Sequence, residues 1–245
     1  MCLFCEKEDI EKEDIERESI EKKEKLDNVL KIADKLIKQK NIKDVRESPV
    51  YSLIRAISNL HLYDIVRELY EGEDVTDIQS IYNDVGRYLN SSVTFNNSKS
   101  FKLGKSEIDI NLSKDAVLVC AWSEERFINA LLKIGKNVGN KFEYKKINHM
   151  ATYIYPLGLA IVYNGNHSIL SGILKGEGVI QANQTYDLEP TYDYMYFDGV
   201  YFRNKDNDEV IYKVRRFEIG ILYEIGRLLV LCQDLVQVKM RFSSS

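Results

Sequence analysis

The first recurring apolar spacing along the chain is one that no packed face can use. Residues 6–25 read EKEDI EKEDI ERESI EKKEK, with Ile10, Ile15 and Ile20 as the only apolar members. Five residues turn a helix by roughly 500°, so these isoleucines step about 140° around it and build no stripe. The pattern predicts a solvated, ion-pair-laced helix or a partly disordered stretch, and sets residues 1–25 apart as a charged appendage. At Leu26 the period changes. Leu26, Val29, Leu30, Ala33, Leu36 and Ile37 follow helical spacing and predict the first core helix. Ser48-Pro49 reads as an N-cap followed by proline at the first helical position, opening a helix to about Tyr70. Asp74 or Thr76 opens another that ends near Leu89, so residues 26–90 are expected to be helical.

Between Ser91 and Asn111 the period shifts to two, with Val93, Phe95, Ile108 and Ile110 alternating against polar residues, which predicts two or three short strands. Ala116–Trp122 is a continuous apolar run that fits a strand or a buried helix. Ser123 followed by two glutamates reads as a cap and acidic first turn for a helix ending near Lys136, with Gly135 and Gly139 at its exit. Further strands are expected over Phe142–Lys145, Met150–Tyr155, Leu159–Tyr163, Val179–Asn183 and Tyr192–Phe197, with a hairpin around Asn204–Asp208. A last helix runs over roughly Arg215–Leu235. The pattern is α+β: a helical N-terminal part, then an α+β domain over 91–245 built as a mixed β-sheet with packed helices.

Composition narrows the function classes. The 245 residues are 44% hydrophobic and 29% charged, enough to bury a core as one large domain or two small ones. Net charge is 34 minus 38, or −4, and residues 6–25 alone hold ten acids and six bases, also −4. The rest of the chain is balanced, which argues against duplex DNA, whose binders gather Lys and Arg, and also against a single-stranded nucleic-acid binder. The apolar run Ile219–Cys232 is broken by Glu224 and Arg227, and the start carries no signal-peptide pattern, so a cytoplasmic protein without a membrane anchor is expected. Cys2 and Cys5 have half of a zinc-knuckle spacing, but Cys120 and Cys232 lie singly in apolar stretches, and no metal site is assigned.

The segment Leu159–Gly178 carries chemistry. It reads as a strand, a tight turn at Asn164-Gly165 and a short helix from about His167 to Lys175. Such a turn aims the unpaired amides of the first helical residues at one spot, where the helix dipole also favours an anion. Asn164-Gly165-Asn166-His167-Ser168 resembles the Asp-Gly-x-His-Arg signature of the ParB and sulfiredoxin-like superfamily and of DGQHR-type domains. In that superfamily the turn binds nucleotide phosphates and supports CTP hydrolysis, ATP-dependent phosphoryl transfer and, in some members, nuclease activity. The resemblance implies ligand contacts at Gly165, His167 and the turn amides, and points to a nucleotide, with a divalent metal, as cofactor. Asn164 stands where the signature has Asp, and Ser168 where it has the phosphate-clamping Arg. Trp122, Arg126, Asn148-His149 and the Gly165–Ser168 turn in one chain also resemble uncharacterised domain families carried by bacteria and phages.

Other residues join this site by position. If the strands flanking Pro156-Leu157-Gly158 pair as a hairpin, His149 lies at the same end as the turn, where two histidines would serve as acid and base or as two metal ligands with a carboxylate. Arg126 is the candidate cation in place of the missing Arg. Tyr192, Tyr194 and Tyr196 alternate so that three rings face one side of a strand, a stacking platform or an interface. His61 is expected in the core. The ligand reading is a small nucleotide or phosphate compound, bound with or without hydrolysis or phosphoryl transfer. The rival readings are a non-catalytic protein of phage–bacteria conflict that sequesters a nucleotide or docks on a protein partner or a second copy of itself, and a single-strand binder.

Overall fold

The apolar stripe that begins at Leu26 is buried, with Leu26, Ala33 and Ile37 inside the core. The computed structural model describes residues 3–39, 48–71, 102–104, 107–214 and 216–232, with 3–16 and 102–104 as backbone. The expected helix over 74–89, the strands around Val93 and Phe95, and Cys2 lie outside the described residues. Helix α1 (Leu3–Ile37) runs unbroken through both the charge-rich repeat and the core stripe. Its charged part is laced by the exposed i,i+4 pairs Glu18–Lys22 and Glu21–Lys25, both at 2.6 Å. Pairs of this kind contribute only tenths of a kcal/mol, ~0.3–0.5 each, so burial further along does the anchoring. Helix α2 (Pro49–Glu71) starts at the proline, where the missing N–H is an unpaired helix-end donor anyway. It buries Val50, Ile54, Ile57, Ile65 and Leu69.

A five-stranded sheet forms the centre, in the order β1 (Lys102–Gly104), β7 (Gln184–Asp187), β4 (Met150–Tyr155), β5 (Leu159–Asn164), β3 (Ala116–Leu118). β4 and β5 pair as the expected hairpin, and β3 lies parallel to β5 with Ala116 opposite Leu159 and Leu118 opposite Ile161. β7 is parallel to β4 and antiparallel to β1. β2 (Ile108–Asn111) and β6 (Val179–Ala182) form a separate ribbon. β8 (Met195–Phe197), β9 (Tyr201–Asn204) and β10 (Val210–Lys213) form an antiparallel meander. Helix α2 packs on β3, α3 (Glu124–Lys133) packs on α4 (Asn166–Leu174), and α5 (Phe217–Leu231) packs on α1, α2 and β8. The central strand β5 is apolar and buried on both faces over Leu159–Val162, the pattern of a strand covered on both sides.

The residues that break the last apolar run have a structural use. Glu224 accepts from the Phe197 amide at 2.8 Å and from Arg227 Nε at 2.7 Å, while Arg227 donates to the Tyr192 carbonyl at 2.5 Å and to the Met195 carbonyl at 2.5 Å. This buried pair ties α5 to the edge of the meander. Beside it Gly226 lets α5 come close: a Cβ there would lie 2.1 Å from Tyr192 Oη.

Two expected strands do not form as read. Phe142–Lys145 is irregular, because the Glu177 carboxylate takes the Phe142 amide at 2.7 Å and the His149 ring takes the Lys145 amide at 3.0 Å, donors that a strand would have needed. The stretch Tyr192–Phe197 begins in a 3-10 turn, Glu189–Asp193, opened by Pro190, and becomes a strand only at Met195. β7, by contrast, was not anticipated, since Gln-Thr-Tyr-Asp carries little apolar alternation. No helix among the described residues is long and apolar enough to cross a membrane.

Candidate functional site

Parallel strands β3 and β5 end side by side, and each feeds a helix. Ser123 caps α3 by accepting from the Arg126 amide at 3.3 Å, as its position before two glutamates predicts. Helix α4 starts one residue after β5, with Gly165 as its N-cap. The two helices run in the same direction. At their far ends Ser171 Oγ donates to the Ala130 carbonyl at 3.2 Å, and Lys175 Nζ donates to the carbonyls of Leu131, at 2.6 Å, and Ile134. At the near ends Asn166 Oδ1 accepts from the Cys120 amide at 2.8 Å, and His167 Nε2 accepts from the Ser123 amide at 3.2 Å. Both amino ends therefore meet at the carboxyl edge of parallel strands, where open α/β sheets hold their ligands.

Gly165 makes the turn possible. Its φ of 81° and ψ of 19° lie in the left-handed region, and an added Cβ would sit 2.6 Å from the Asn148 carbonyl oxygen and 2.7 Å from His149 Cδ2. No side chain caps the helix it opens, and no acid occupies the first turn. The first amides, Asn166 to Ser168, are thus left to whatever binds there. Asn164, at the end of β5, is exposed, and its Nδ2 makes only a long 3.5 Å contact to the Ile147 carbonyl.

The hairpin register sets Met150 opposite Asn164 and so brings His149 to the turn. His149 is buried, stacked on Phe142 with ring centroids 5.0 Å apart. Its Nδ1 accepts from the Lys145 amide at 3.0 Å, which fixes the proton on Nε2, and Nε2 donates to Ser168 Oγ at 3.0 Å. Ser168 Oγ in turn donates to the Gly165 carbonyl at 3.0 Å. Both ring nitrogens of His149 are thus engaged, one with the Lys145 amide and one with the turn. Burial, and then Lys145, hold its pKa below the ordinary histidine value.

His167 points the other way. No contact joins the two histidines: the half-buried His167 ring packs T-shaped with Trp122, centroids 5.4 Å apart, and the Arg126 guanidinium lies 4.6 Å from the Trp122 ring centroid. Burial and then Arg126 lower the His167 pKa. Since Nε2 accepts the Ser123 amide, the neutral ring carries its proton on Nδ1, which has no partner among the described residues. Arg126 and His167 thus both pack on Trp122, which is 48% exposed. Its signal in the sequence is its place: the only tryptophan, directly before a helix cap at the end of a buried strand.

A family model, described as a family of unknown function, matches residues 10–235. The chain belongs to DUF6710. The matched span takes in every described element of the DUF6710 site, from Trp122 and Arg126 to the Gly165 turn. No curated protein and no solved structure matches this DUF6710 chain.

The tyrosine row of the DUF6710 chain does not form. Tyr192 is buried in the 3-10 turn, edge-on to Tyr223 and under Arg227, Tyr194 is exposed at the turn's end, and Tyr196 alone lies in a strand, where it donates to Asp208. The turn rotates the first two rings out of the alternation that a strand would impose. His61 lies in the core at 0% exposure. Among the described residues no three of His, Cys, Asp or Glu are grouped to hold a metal ion.

Proposed function

We propose that this chain binds a phosphate-bearing ligand of the nucleotide class at the amino end of α4. The observation that carries the reading is the side-by-side arrival of two helix amino ends at the edge of parallel β3 and β5, with α4 open and free of acids. An anion at that point meets the amides of Asn166, His167 and Ser168 and a helix dipole worth about half a positive charge. His167 Nδ1–H adds a donor and Arg126 a cation. Arg126 lies over the Trp122 ring, whose exposed part is aromatic surface for a base. The acids Glu124 and Glu125 compensate the α3 dipole and leave α4 as the anion site.

The likeness to the ParB and sulfiredoxin-like signature supports the same reading, with Gly165 and His167 at the shared positions and Arg126 supplying from α3 the charge that Ser168 does not. Capture without turnover is the favoured form, because His149, the acid–base candidate next to Ser168, has both ring nitrogens engaged. Thermal unfolding against inorganic phosphate and nucleoside mono-, di- and triphosphates tests the proposal. A ligand at a hundred times its Kd adds about 2.7 kcal/mol, a rise of roughly 5–11 °C for a chain of this size. The rise is expected with at least one nucleotide and is reduced in His167→Ala, and the nucleotide is recovered chemically intact. A panel that leaves the melting temperature unmoved overturns the reading.

A further inference from the structure

The net charge of −4 conceals a local basic surplus. Residues 133–149 hold Lys133, Lys136, Lys141, Lys145 and Lys146 against a single acid, Glu143, five minus one or +4. All five lysines are exposed. Lys146 makes a loose 3.7 Å pair with Glu107, and the other four pair with no carboxylate among the described residues.

The fold lays this segment out as a strap along α4. It starts at the helix's carboxyl end, where Gly135 lies against the Lys175 side chain. Phe142 fills the space beside Gly172, in the last turn of the helix, and Gly178, and the strap finishes at the amino end, with Asn148 against Gly165 and His149 bonded to Ser168. The Glu177 carboxylate and the His149 ring, each holding strap amides, fix this path. The lysines thus line a course of about 14 Å, nine residues of helix at 1.5 Å each, that leads to the open end of α4. Aromatic rings flank that end: Tyr144 in the strap, Tyr163 at 37% exposure beside Asn164, and Trp122 beyond the turn. Ile147, 89% exposed, stands between the last two lysines and Asn164.

We infer that the strap is a binding track for single-stranded nucleic acid, with one phosphate at the α4 amino end and its neighbours along the lysines. This rests on the phosphate-binding reading of α4 and names its ligand as an oligonucleotide. A fixed basic row with flat rings at its end is the combination that holds a flexible strand, charge for the backbone and rings for unstacked bases. A membrane surface would instead call for an amphipathic helix with an apolar face, and the strap holds only the short 3-10 turn Lys136–Val138 within irregular chain.

The test compares a fluorescein-labelled dT oligonucleotide of ten residues with a nucleoside monophosphate, by anisotropy and by Trp122 emission, between 50 and 200 mM salt. It uses the full chain and its Lys141→Gln/Lys145→Gln/Lys146→Gln variant. Three phosphate contacts on a single strand account for a salt slope of about −2 and a loss of about 20-fold over that range. The oligonucleotide is expected to bind the native chain with that added slope and to lose it in the variant, whose unfolding curve and monophosphate binding stay unchanged. Equal binding of oligonucleotide and monophosphate, indifferent to the variant, overturns the track and leaves the nucleotide site standing. Binding to phosphatidylserine vesicles in place of the oligonucleotide also overturns it. Failure of both the oligonucleotide and the monophosphate to bind removes the phosphate reading with it.

Discussion

His61 offers a quantitative check on how the core is built. Helix α2 carries it to 0% exposure against β3, and both ring nitrogens are buried without a hydrogen-bond partner. Burial, and then the nearby Arg216 guanidinium, push its pKa down to about 4, while the Val119 backbone opposes the shift without making a regular hydrogen bond. Unfolded, the ring titrates near 6.5, so it takes up a proton in the unfolded chain before it does in the native one. Stability is therefore whole above pH 6.5 and is lost as pH falls from there towards 4. Linkage between pH 7 and pH 5 gives a loss of about 2 kcal/mol from this one side chain, and roughly 4–8 °C in Tm. In His61→Leu the ring is replaced by an apolar side chain of similar size. Because nothing bonds to the imidazole, the change at pH 7 is small, within about 1 kcal/mol. Urea unfolding of both proteins at pH 7 and pH 5 measures the difference. An equal loss in native protein and variant would refute the reasoning.

Three more outcomes follow from the same contacts. Gly165→Ala forces a left-handed φ on alanine, about 1–2 kcal/mol, and drives its Cβ into the Asn148 carbonyl; Gly176→Ala, at φ +64 with open space around it, pays only the first cost. Chemical denaturation should separate the two by at least 1 kcal/mol. Arg227→Met leaves the buried Glu224 without its cation and strips donors from Tyr192 and Met195, a loss of about 3–5 kcal/mol by urea titration, far more than the same change at exposed Arg67. Trp122 emission should fall as His167 takes a proton, with a midpoint below 6.5 because burial and Arg126 lower that pKa, and the step should vanish in His167→Ala.

Much of this was legible in residue order where one local signal sufficed. Ser48-Pro49 and Ser123-Glu124-Glu125 mark their helices because capping is a matter of three or four neighbouring residues. The strand, glycine and helix of 159–174 follow from the turn's need for a left-handed residue. What depended on distant partners was not legible. Phe142–Lys145 has the alternation of a strand, yet its amide goes to Glu177, thirty-five residues on. The Tyr192–Tyr196 alternation is undone by a proline just ahead of it. At the site, hairpin logic placed His149 beside the turn, but only the Lys145 amide shows that its ring is locked. Trp122 gains meaning only from the parallel pairing of β3 with β5, which sets its loop against His167.

The most direct test of the central claim is a titration of the single tryptophan. Trp122 touches both Arg126 and His167, so a nucleotide seated at the amino end of α4 must change its emission. Saturable quenching by a nucleotide, weakened in both Arg126→Ala and Gly165→Ala, is the predicted result. Emission that stays constant while the same nucleotide binds by calorimetry would place the ligand elsewhere and contradict the account.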